Sequence, residues 1–353
     1  MAKEALIVGV TGIAGNNIAQ VLLADGWKVH GLSRKPGITI PGVNHVYADV
    51  LDQASVEKAI TGLAISHLFF CTWSRQNTEA ENCAVNGAML ENTLSAMRQT
   101  KSLEHAVLIT GLKHYLGPFE AYASTPMDTP FRESQERLPI ENFYYVQEDI
   151  LFKHAAERNF TWSVHRPHTM IGYALGNVMN MGVTLAIYAS ICKETGRPFV
   201  FPGSTEQFNG VTDVTDASIL ARHAVWSATA ETAKNQAFNT VNGDVFRWRQ
   251  LWKHIADYFG LEDPGYPAQI TPLDPKMGDA DEVWAKIVAK HGLQDFKATH
   301  LASWWHTDAD LGRQVETFAD MGKSRRAGFR EVNVTFDSFT NLFDRLRNEK
   351  IIP

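Results

Sequence analysis

The sequence has few cysteines, and they lie far apart. Cys71, Cys83 and Cys192 are the only three among 353 residues. Their spacing offers neither a disulfide framework nor a cysteine metal site, and no His-x-x-x-His pair occurs. We therefore expect reduced thiols, a cytoplasmic location and no bound metal ion.

Long apolar runs and blocks of basic residues are also missing. The longest apolar stretch, 178–192, is short for a membrane span and is interrupted by Asn180 and Thr184. The formal net charge is −6 without a basic cluster, which argues against a nucleic-acid partner and against an anionic membrane surface. The first residues lead directly into an apolar segment, so we expect no signal peptide. The expected partner is a small molecule.

The N-terminal segment contains a glycine-rich turn between a strand and a helix. Residues 6–8 (Leu-Ile-Val) are apolar and β-forming, and residues 16–23 have the apolar spacing of a helix. The turn between them contains Gly9, Thr11, Gly12 and Gly15. Its backbone N–H groups and the positive helix end suit a pyrophosphate, and a Cβ atom would block the phosphate or the helix–strand contact. The Gly-x-x-Gly-x-x-Gly spacing resembles that of extended short-chain dehydrogenases/reductases and favours nucleotide binding over an ordinary turn.

The end of the next predicted strand, 27–33, indicates which dinucleotide binds. An enzyme that uses NAD usually has an acidic side chain there to bind the ribose 2′-hydroxyl. This strand ends instead in Ser33, Arg34 and Lys35, and a guanidinium binds a 2′-phosphate well. The pattern favours NADPH; the alternative is that Arg34 and Lys35 are solvated surface cations.

Strands and helices alternate through most of the chain. Further predicted strands cover 44–48, 67–71, 105–110, 161–166 and 237–241. The alternation predicts an α/β fold, a doubly wound parallel sheet (Rossmann), with a smaller, mostly helical substrate-binding lobe. We assign residues 1–170 and about 208–245 to the NADP-binding domain, and residues 171–207 and 246–353 to the lobe.

Several residues that can bind ligands follow the predicted strands, at the sheet edge where ligands bind in this fold. Asp49 either accepts a hydrogen bond from the adenine amino group or caps the next helix. Trp73 either borders the ligands or packs in the interior. Lys113 follows the strand 105–110 in a glycine-bounded turn, and we expect it to point into the same crevice.

The helix that begins near Asn142 lacks an expected lysine. Short-chain reductases normally carry Tyr-x-x-x-Lys on one helix turn, where the ammonium group lowers the tyrosine pKa. Four residues after Tyr144 and Tyr145 stand Glu148 and Asp149. A phenol with its free pKa of about 10 is a poor acid–base group at neutral pH without such help. Lys113 is the replacement that the sequence offers.

Several sequence blocks, spread over nearly the whole chain, are specific enough to indicate a family. The most specific are Thr-Gly-x-Lys-His-Tyr-x-Gly-Pro-Phe-Glu at 110–120 and Asn-Phe-Tyr-Tyr-x-x-Glu-Asp-Ile at 142–150. Others stand at 9–13, 72–73, 81–83, 161–167, 242–246, 304–305 and 350–353. These blocks resemble the progesterone 5β-reductase/iridoid synthase family. The resemblance implies NADPH-dependent reduction of the activated C=C bonds of steroid enones or monoterpene enals, with the family's catalytic tyrosine on Tyr144 and its catalytic lysine on Lys113.

The residues and the resemblance together give a predicted site. Predicted cofactor contacts are Gly9, Thr11, Gly12, Ile13, Gly15, Ser33, Arg34, Lys35, Asp49, Val50, Thr72, Trp73, Ile109, Tyr144, Met170, Asn177, Val178 and Met179. Predicted substrate contacts are Trp73, Phe119, Tyr145, Thr169, Met179 and Trp305.

The mechanism that the resemblance implies follows the development of charge. Hydride reaches the β-carbon of an enone or enal, and negative charge grows on the carbonyl oxygen. The Tyr144 hydroxyl stabilises that oxygen, and Lys113 keeps the phenol acidic and oriented. The alternative is that Lys113 is a surface or ribose-binding cation and Tyr144 a packed aromatic residue.

Two other functions and one departure from the family stand beside this interpretation. An NAD-dependent sugar-nucleotide epimerase or dehydratase usually needs the Tyr-x-x-x-Lys helix. A non-catalytic NADPH-sensing regulator tends to lose the tyrosine and the lysine that this chain keeps. Relatives commonly read Gly-Asn after the Arg-Pro pair at 166–167, whereas this chain has His168-Thr169, which bears on the substrate. A homodimer is left open.

Overall fold

A parallel sheet of seven strands forms the centre of the larger part of the protein. The computed structural model describes residues 3–100, 102–118, 128–175, 177–267 and 269–353. The strands are β1 Glu4–Val8, β2 Lys28–Ser33, β3 Asn44–Tyr47, β4 His67–Phe70, β5 His105–Ile109, β6 Thr161–Pro167, β7 Met170–Ile171, β8 Thr215–Asp216 and β9 Gln236–Thr240. The large sheet has the order β3-β2-β1-β4-β5-β6-β9, and β7 pairs with β8 separately. The chain reverses its direction across the sheet between β1 and β4, which opens a crevice at the carboxyl ends of these strands.

Helices cover both faces of the large sheet. They are α1 Ile13–Ala24, α2 Gln53–Ile60, α3 Glu79–Ala96, α4 Lys113–Leu116, α5 Phe143–Arg158, α6 Met181–Thr195, α7 Thr205–Asn209, α8 Ala217–Ser227, α9 Trp248–Phe259, α10 Ala280–His291, α11 Ala298–Leu301, α12 Trp304–Leu311, α13 Gly322–Ala327 and α14 Thr335–Asn348. Leu6 and Val8 of β1 pack with α3 and α5 on one face. Ala5 and Ile7 pack with α1 and α8 on the other. Because both faces are buried, the central strands β1, β4 and β5 are apolar over most of their length rather than alternating. The predicted doubly wound α/β fold is confirmed.

A second hydrophobic core lies in the smaller lobe. It is formed by α6, α9, α10 and α14 around a group of stacked aromatic rings, in which the Phe199 and Trp252 centroids are 4.2 Å apart. This core also contains Phe208 and Val214, which the predicted boundary near 208 places in the other domain. The division of the chain into 1–170 with 208–245 and 171–207 with 246–353 stays a prediction.

The shortest strands and helices are the elements that the sequence pattern predicts least well. The pair β7–β8 and the helices α11, α12 and α13 have too few residues to show a period. Among the described residues, no helix is long and apolar enough to cross a membrane.

Four buried histidines line one face of the sheet. His67, His105 and His165 lie on the neighbouring strands β4, β5 and β6, and the ring of His223 from α8 lies 4.6 Å from that of His165. Hydroxyl groups bind the rings: His105 contacts Ser163 at 3.1 Å and Thr161 at 2.8 Å. Burial lowers the pKa of His67 to about 4 and those of His105 and His165 to about 3, and it also lowers the pKa of His223.

These histidines predict that acid destabilises the fold. In the unfolded chain a histidine has a pKa of about 6.5, so between this value and about 4 the unfolded state binds more protons than the folded state. The free energy of unfolding is therefore not reduced by these histidines above pH 6.5, and it falls as the pH drops below this value. We expect urea unfolding to show a free energy at least about 2 kcal/mol lower at pH 5 than at pH 7.5, the contribution of one such histidine.

Two histidine variants make this prediction specific. His105→Gln removes a buried ring and should reduce the dependence of stability on pH. His300→Gln changes an exposed histidine and should leave that dependence as in the unchanged protein. Stability that is level between pH 7.5 and 5 would contradict the prediction.

Close backbone packing holds α1 against the end of β1. A Cβ atom added to Gly15 would lie 2.3 Å from the Gly9 carbonyl oxygen and 2.8 Å from the Val10 Cα atom. Neither neighbour is the flexible end of a side chain, so the helix itself must move to make room.

We therefore expect Gly15→Ala to lower the free energy of unfolding by about 1–3 kcal/mol, the usual cost of overpacking. Gly37→Ala is the matched control, because nothing lies within 4 Å of a Cβ atom there. Urea denaturation of both variants gives the comparison. Equal stabilities for the two variants would show that the contact between α1 and β1 tolerates a side chain.

Candidate active site

Two adjoining cavities lie at the carboxyl ends of the strands. The first has a volume of about 240 Å³ and lies at the turn between β1 and α1 and at the ends of β2 and β4. The second has a volume of about 160 Å³ and lies at the end of β5, the start of α5 and the segment after β6. Trp73, Asn177 and Met179 line both cavities. The two cavities therefore form one crevice along the edge of the sheet.

The glycine turn forms one wall of the first cavity. Gly9 has a φ of +84°, and a Cβ atom there would lie 2.8 Å from the Thr72 Cβ atom. Gly12 is the N-cap residue of α1 and gives its first turn no side-chain hydrogen bond. The N–H groups of that turn and the positive end of the 12-residue helix are thus directed to a ligand without an intervening side chain.

The predicted cofactor residues divide into three groups. Those that line the first cavity are Gly9, Thr11, Gly12, Ser33, Arg34, Val50, Thr72, Trp73, Asn177 and Met179. Tyr144 and Met170 line the second cavity. The remaining predicted contacts, Ile13, Gly15, Lys35, Asp49, Ile109 and Val178, are not among the residues that line either cavity.

Local structure explains why four residues of the third group do not line the cavities. Ile13 is buried against Ala174 and Ala217, and Gly15 supports the turn from behind. Lys35 is exposed. The Asp49 carboxylate accepts a hydrogen bond from the Leu51 N–H at 3.0 Å.

The alternative role of Asp49 as a helix cap is wrong. Asp52 is the N-cap residue of α2 and accepts hydrogen bonds from the Ala54 and Ser55 N–H groups. Asp49 stands three residues before that position.

The structure brings Lys113 and Tyr144 to the second cavity. Lys113 is the first residue of α4, and Tyr144 stands in the first turn of α5. The Lys113 Nζ atom lies 5.6 Å from the centroid of the Trp73 ring and 5.5 Å from that of Phe143. Trp73 stacks on Phe143 at 5.6 Å, so it both borders the crevice and packs against α5.

The side chain of Asn142 connects the two segments. Its Oδ1 atom accepts a hydrogen bond from the Tyr144 N–H at 3.0 Å, which caps α5. Its Nδ2 atom donates to the Lys113 carbonyl oxygen at 2.7 Å. Asn142 is buried, so both bonds are partly shielded from water. The position of the lysine backbone is thereby fixed relative to the start of the tyrosine helix.

Tyr145 makes a second connection and does not line the cavities. Its hydroxyl group donates to the His114 carbonyl oxygen at 2.5 Å and accepts from the Leu138 N–H at 3.0 Å. The predicted substrate role of Tyr145 is therefore not supported, because its hydroxyl group holds α4 instead.

Glu148 occupies the position of the missing helix lysine. Its buried carboxylate contacts Arg137 at 2.9 Å and Arg166 at 3.2 Å, and lies 3.6 Å from the His114 Nδ1 atom. Burial raises the pKa of Glu148, but His114 and the two guanidinium groups outweigh it and bring the pKa to about 2. A lysine at this position would place a third cation beside two arginines, so the ammonium group has to come from another segment.

The phenol of Tyr144 has little space. A Cβ atom on Gly111 would lie 3.2 Å from the Tyr144 hydroxyl oxygen, so glycine keeps the approach to the hydroxyl open. Burial, together with the charge of Glu79, raises the pKa of Tyr144 above its ordinary value. At neutral pH the phenol is a neutral hydrogen-bond donor, which is opposite in direction to the acidified phenol expected from the sequence.

Further polar residues of the second cavity escaped the sequence analysis. They are His306, Asp310 and Arg313, from α12 and the residues after it. They lie far along the chain from the strands, in a segment without a periodic pattern, and only the fold brings them to the crevice. The nearest signal was the Trp-Trp pair at 304–305.

Three predicted substrate residues line the crevice and others do not. Thr169 lines the second cavity, and Trp73 and Met179 line both. Trp305 lies outside them: it is 37% exposed, and the Arg75 guanidinium lies 4.0 Å from its ring centroid. Phe119 lies outside the described residues. Within the described ranges, no group of three or more His, Cys, Asp or Glu side chains is placed to hold a metal ion.

Solved structures with a similar fold include nucleotide-sugar enzymes. A putative epimerase from Burkholderia cenocepacia has a TM-score of 0.69 and 15% identity, with 98% of both chains covered. UDP-glucose 4-epimerase of Thermus thermophilus, in complex with NAD, has a TM-score of 0.67 and 16% identity, with 98% of this chain and 99% of that chain covered. At this identity the similarity concerns the fold alone.

Much closer sequence relatives are also known. The (S)-8-oxocitronellyl enol synthase ISY1 of Nepeta cataria is 42% identical over 99% of this chain and 93% of its own length. The 3-oxo-Delta(4,5)-steroid 5-beta-reductase of Arabidopsis thaliana is 39% identical over the same shares of the two chains. The signature of the PRISE-like Rossmann-fold domain matches residues 44–353. The resemblance drawn from the sequence blocks is thereby confirmed, and the chain belongs to the PRISE-like Rossmann-fold family.

Proposed function

We propose that this protein is an NADPH-dependent reductase of the activated C=C bond of enones and enals. The proposal rests on one observation: Tyr144 and Lys113, from two separate segments, line a cavity that adjoins the cavity of the glycine turn. Relatives of about 40% identity, among them a steroid 5-beta-reductase and enol synthases, favour this function over that of an epimerase or dehydratase.

The first cavity fits a dinucleotide. Side-chain-free positions at Gly9 and Gly12 leave room for a pyrophosphate beside the N-terminus of α1. Ser33 and Arg34 line the part of the cavity at the end of β2, where the ribose of the adenosine half would lie. When bound, the cofactor supplies a hydride to the β-carbon of the substrate.

The residues of the second cavity act on the carbonyl oxygen of the substrate. The neutral phenol of Tyr144 donates a hydrogen bond to this oxygen, on which negative charge grows as the β-carbon is reduced. The ammonium group of Lys113, held near the rings of Trp73 and Phe143, adds a positive charge to the same cavity. Both groups are positioned before the reaction, so their orientation costs little during it.

One further proposal concerns the compartment. The three cysteines are unpaired, which favours a reducing compartment such as the cytoplasm. A regulator that binds NADPH without turnover is the remaining alternative, and the positioned tyrosine–lysine pair argues against it. A homodimer stays open.

Replacement of Tyr144 by Phe tests the catalytic proposal. Because the ring remains and only the donor is lost, we expect kcat with 2-cyclohexen-1-one to fall by about 10²–10³-fold. The Kd for NADPH should change by no more than about twofold, since a single uncharged hydroxyl outside the first cavity is removed. Loss of NADPH absorbance and a fluorescence titration measure the two quantities.

Tyr258→Phe is the control for this variant, because it removes a hydroxyl group on the surface of α9 that binds Asp344. Its turnover should equal that of the unchanged protein. Unchanged turnover in Tyr144→Phe would remove Tyr144 from the mechanism. Tight NADPH binding without turnover of any enone or enal, in the unchanged protein, would support the regulator instead.

Replacement of Arg34 by Ala tests the choice of dinucleotide. Loss of a charge-assisted bond to the 2′-phosphate should weaken NADPH binding by about 10–150-fold and leave NADH binding nearly unchanged. Lys35→Ala is the matched control, since Lys35 is the cation next to Arg34 and does not line the cavity. Equal weakening of both dinucleotides in Arg34→Ala would contradict a phosphate role.

A further inference from the structure

The second cavity contains a group of polar side chains that the proposed reaction does not use. Thr169, His306, Asp310 and Arg313 all line it together with Tyr144 and Lys113. We call these four residues the polar wall. Reduction of an enone requires a donor at the carbonyl oxygen, and Tyr144 provides it, so the polar wall needs another explanation.

Hydrogen bonds fix the polar wall in one arrangement. The Thr169 hydroxyl donates to Asp310 Oδ2 at 2.8 Å and accepts from Arg313 Nη2 at 3.2 Å. The Arg313 Nε–H donates to the Asp310 carbonyl oxygen at 2.8 Å, and Nη2 lies 3.3 Å from Asp310 Oδ1. Both charged side chains are buried. Rigid polar groups of this kind favour a ligand of matching shape and polarity.

His168 holds the guanidinium group from behind. Its Nδ1–H donates to Asp213 at 2.6 Å, which leaves Nε2 to accept from Arg313 Nη1 at 2.7 Å. The other oxygen of Asp213 accepts from the Ala319 N–H at 2.7 Å. A glycine at position 168 has no atom for either bond. The departure from the Gly-Asn pair thus gives this chain a fixed arginine in the cavity.

Two groups of the polar wall have hydrogen-bonding capacity left. Of the five N–H groups of Arg313, contacts with the described residues account for four, and one on Nη1 remains. The buried His306 Nδ1 atom meets no hydrogen-bond partner among the described residues. Burial lowers the pKa of His306, so its ring is neutral at pH 7 and has one donor and one acceptor nitrogen.

The charges indicate which ligand group fits. Asp310 and Arg313 compensate each other at 3.3 Å, so the polar wall offers no excess charge to a carboxylate or an ammonium group. A hydroxyl group can accept from Arg313 and also exchange a hydrogen bond with His306.

We infer that the polar wall binds a hydroxyl group of the substrate, separate from the reacting carbonyl group, so that the preferred substrates are hydroxylated enals or enones. This inference rests on the proposed function of the same site. An apolar analogue would leave Arg313 and His306 desolvated without a partner. Sites built to bind a hydroxyl group discriminate strongly against analogues that lack it.

A pair of substrates that differ in one oxygen atom tests the inference. We expect the kcat/KM of the unchanged protein to be at least about tenfold higher for (E)-8-hydroxy-2-octenal than for (E)-2-octenal. Equal values would overturn the inference and leave the proposed reductase function intact. Absence of NADPH oxidation with both aldehydes would overturn both.

Variants assign the preference to particular residues. His306→Phe keeps a ring of similar size but no nitrogen, and should reduce the ratio of the two kcat/KM values to within about threefold, mainly through the hydroxylated substrate. The double variant His168→Gly with Thr169→Asn should reduce it as well. His300→Phe, at an exposed position, is the control and should retain the full ratio. NADPH titration shows that each variant is folded, and a preference that persists in His306→Phe would overturn the inference.

Discussion

The candidate site depends on one buried amide, that of Asn142. The proposed reaction requires an ammonium group and a phenol in one cavity, but they come from α4 and α5, which are separated by a long connection. Asn142 binds the backbone at both Lys113 and Tyr144, and Tyr145 adds a parallel bond to His114. In a Tyr-x-x-x-Lys helix the covalent chain itself supplies this spacing. Here three hydrogen bonds replace it, which is why residues without direct access to the cavity matter for its chemistry.

The cluster around Glu148 shows why a lysine does not fit at this position of α5. Arg166 at the end of β6 and Arg137 before α5 both bind this carboxylate. Arg166 also contacts the Tyr115 hydroxyl group at 3.1 Å, so the cluster connects β6, α4 and α5 below the cavity. A buried carboxylate shared by two guanidinium groups is costly to disturb by a single change. Glu148 thus serves to hold β6, α4 and α5 together, and the ammonium group of the site is supplied by Lys113 from α4.

The sequence predicts the sheet and the cofactor side of the site well, because both depend on local patterns. A short apolar run, three spaced glycines and a basic strand end are readable in order along the chain, and Gly9, Gly12 and Arg34 do line the first cavity. The substrate side is different. Arg313 and His306 reach the second cavity from a segment of short helices, and no local period marks them. Tyr145 and Trp305 are aromatic residues of the kind that often bind ligands, yet neither lines the two cavities. Side-chain direction at these positions is a property of tertiary contacts, which a single sequence does not record.

The same contrast bears on how specificity arises in this fold. The glycine turn is limited by backbone contacts: Gly9 lies against Thr72, and Gly15 against the Gly9 carbonyl group, so little can change there without moving a helix. The polar wall consists of side chains from the segment after β6, from α12 and from the residues that follow α12, and hydrogen bonds between side chains hold Thr169 and Arg313 in place. The His168 ring binds both Arg313 and Asp213, so its loss would remove one of the bonds that hold Arg313 and the side-chain partner of Asp213. His168 lines the second cavity and not the first, so a change at position 168 alters the support of the polar wall and leaves the residues that line the first cavity in place. Substrate preference can therefore vary while the reaction stays the same.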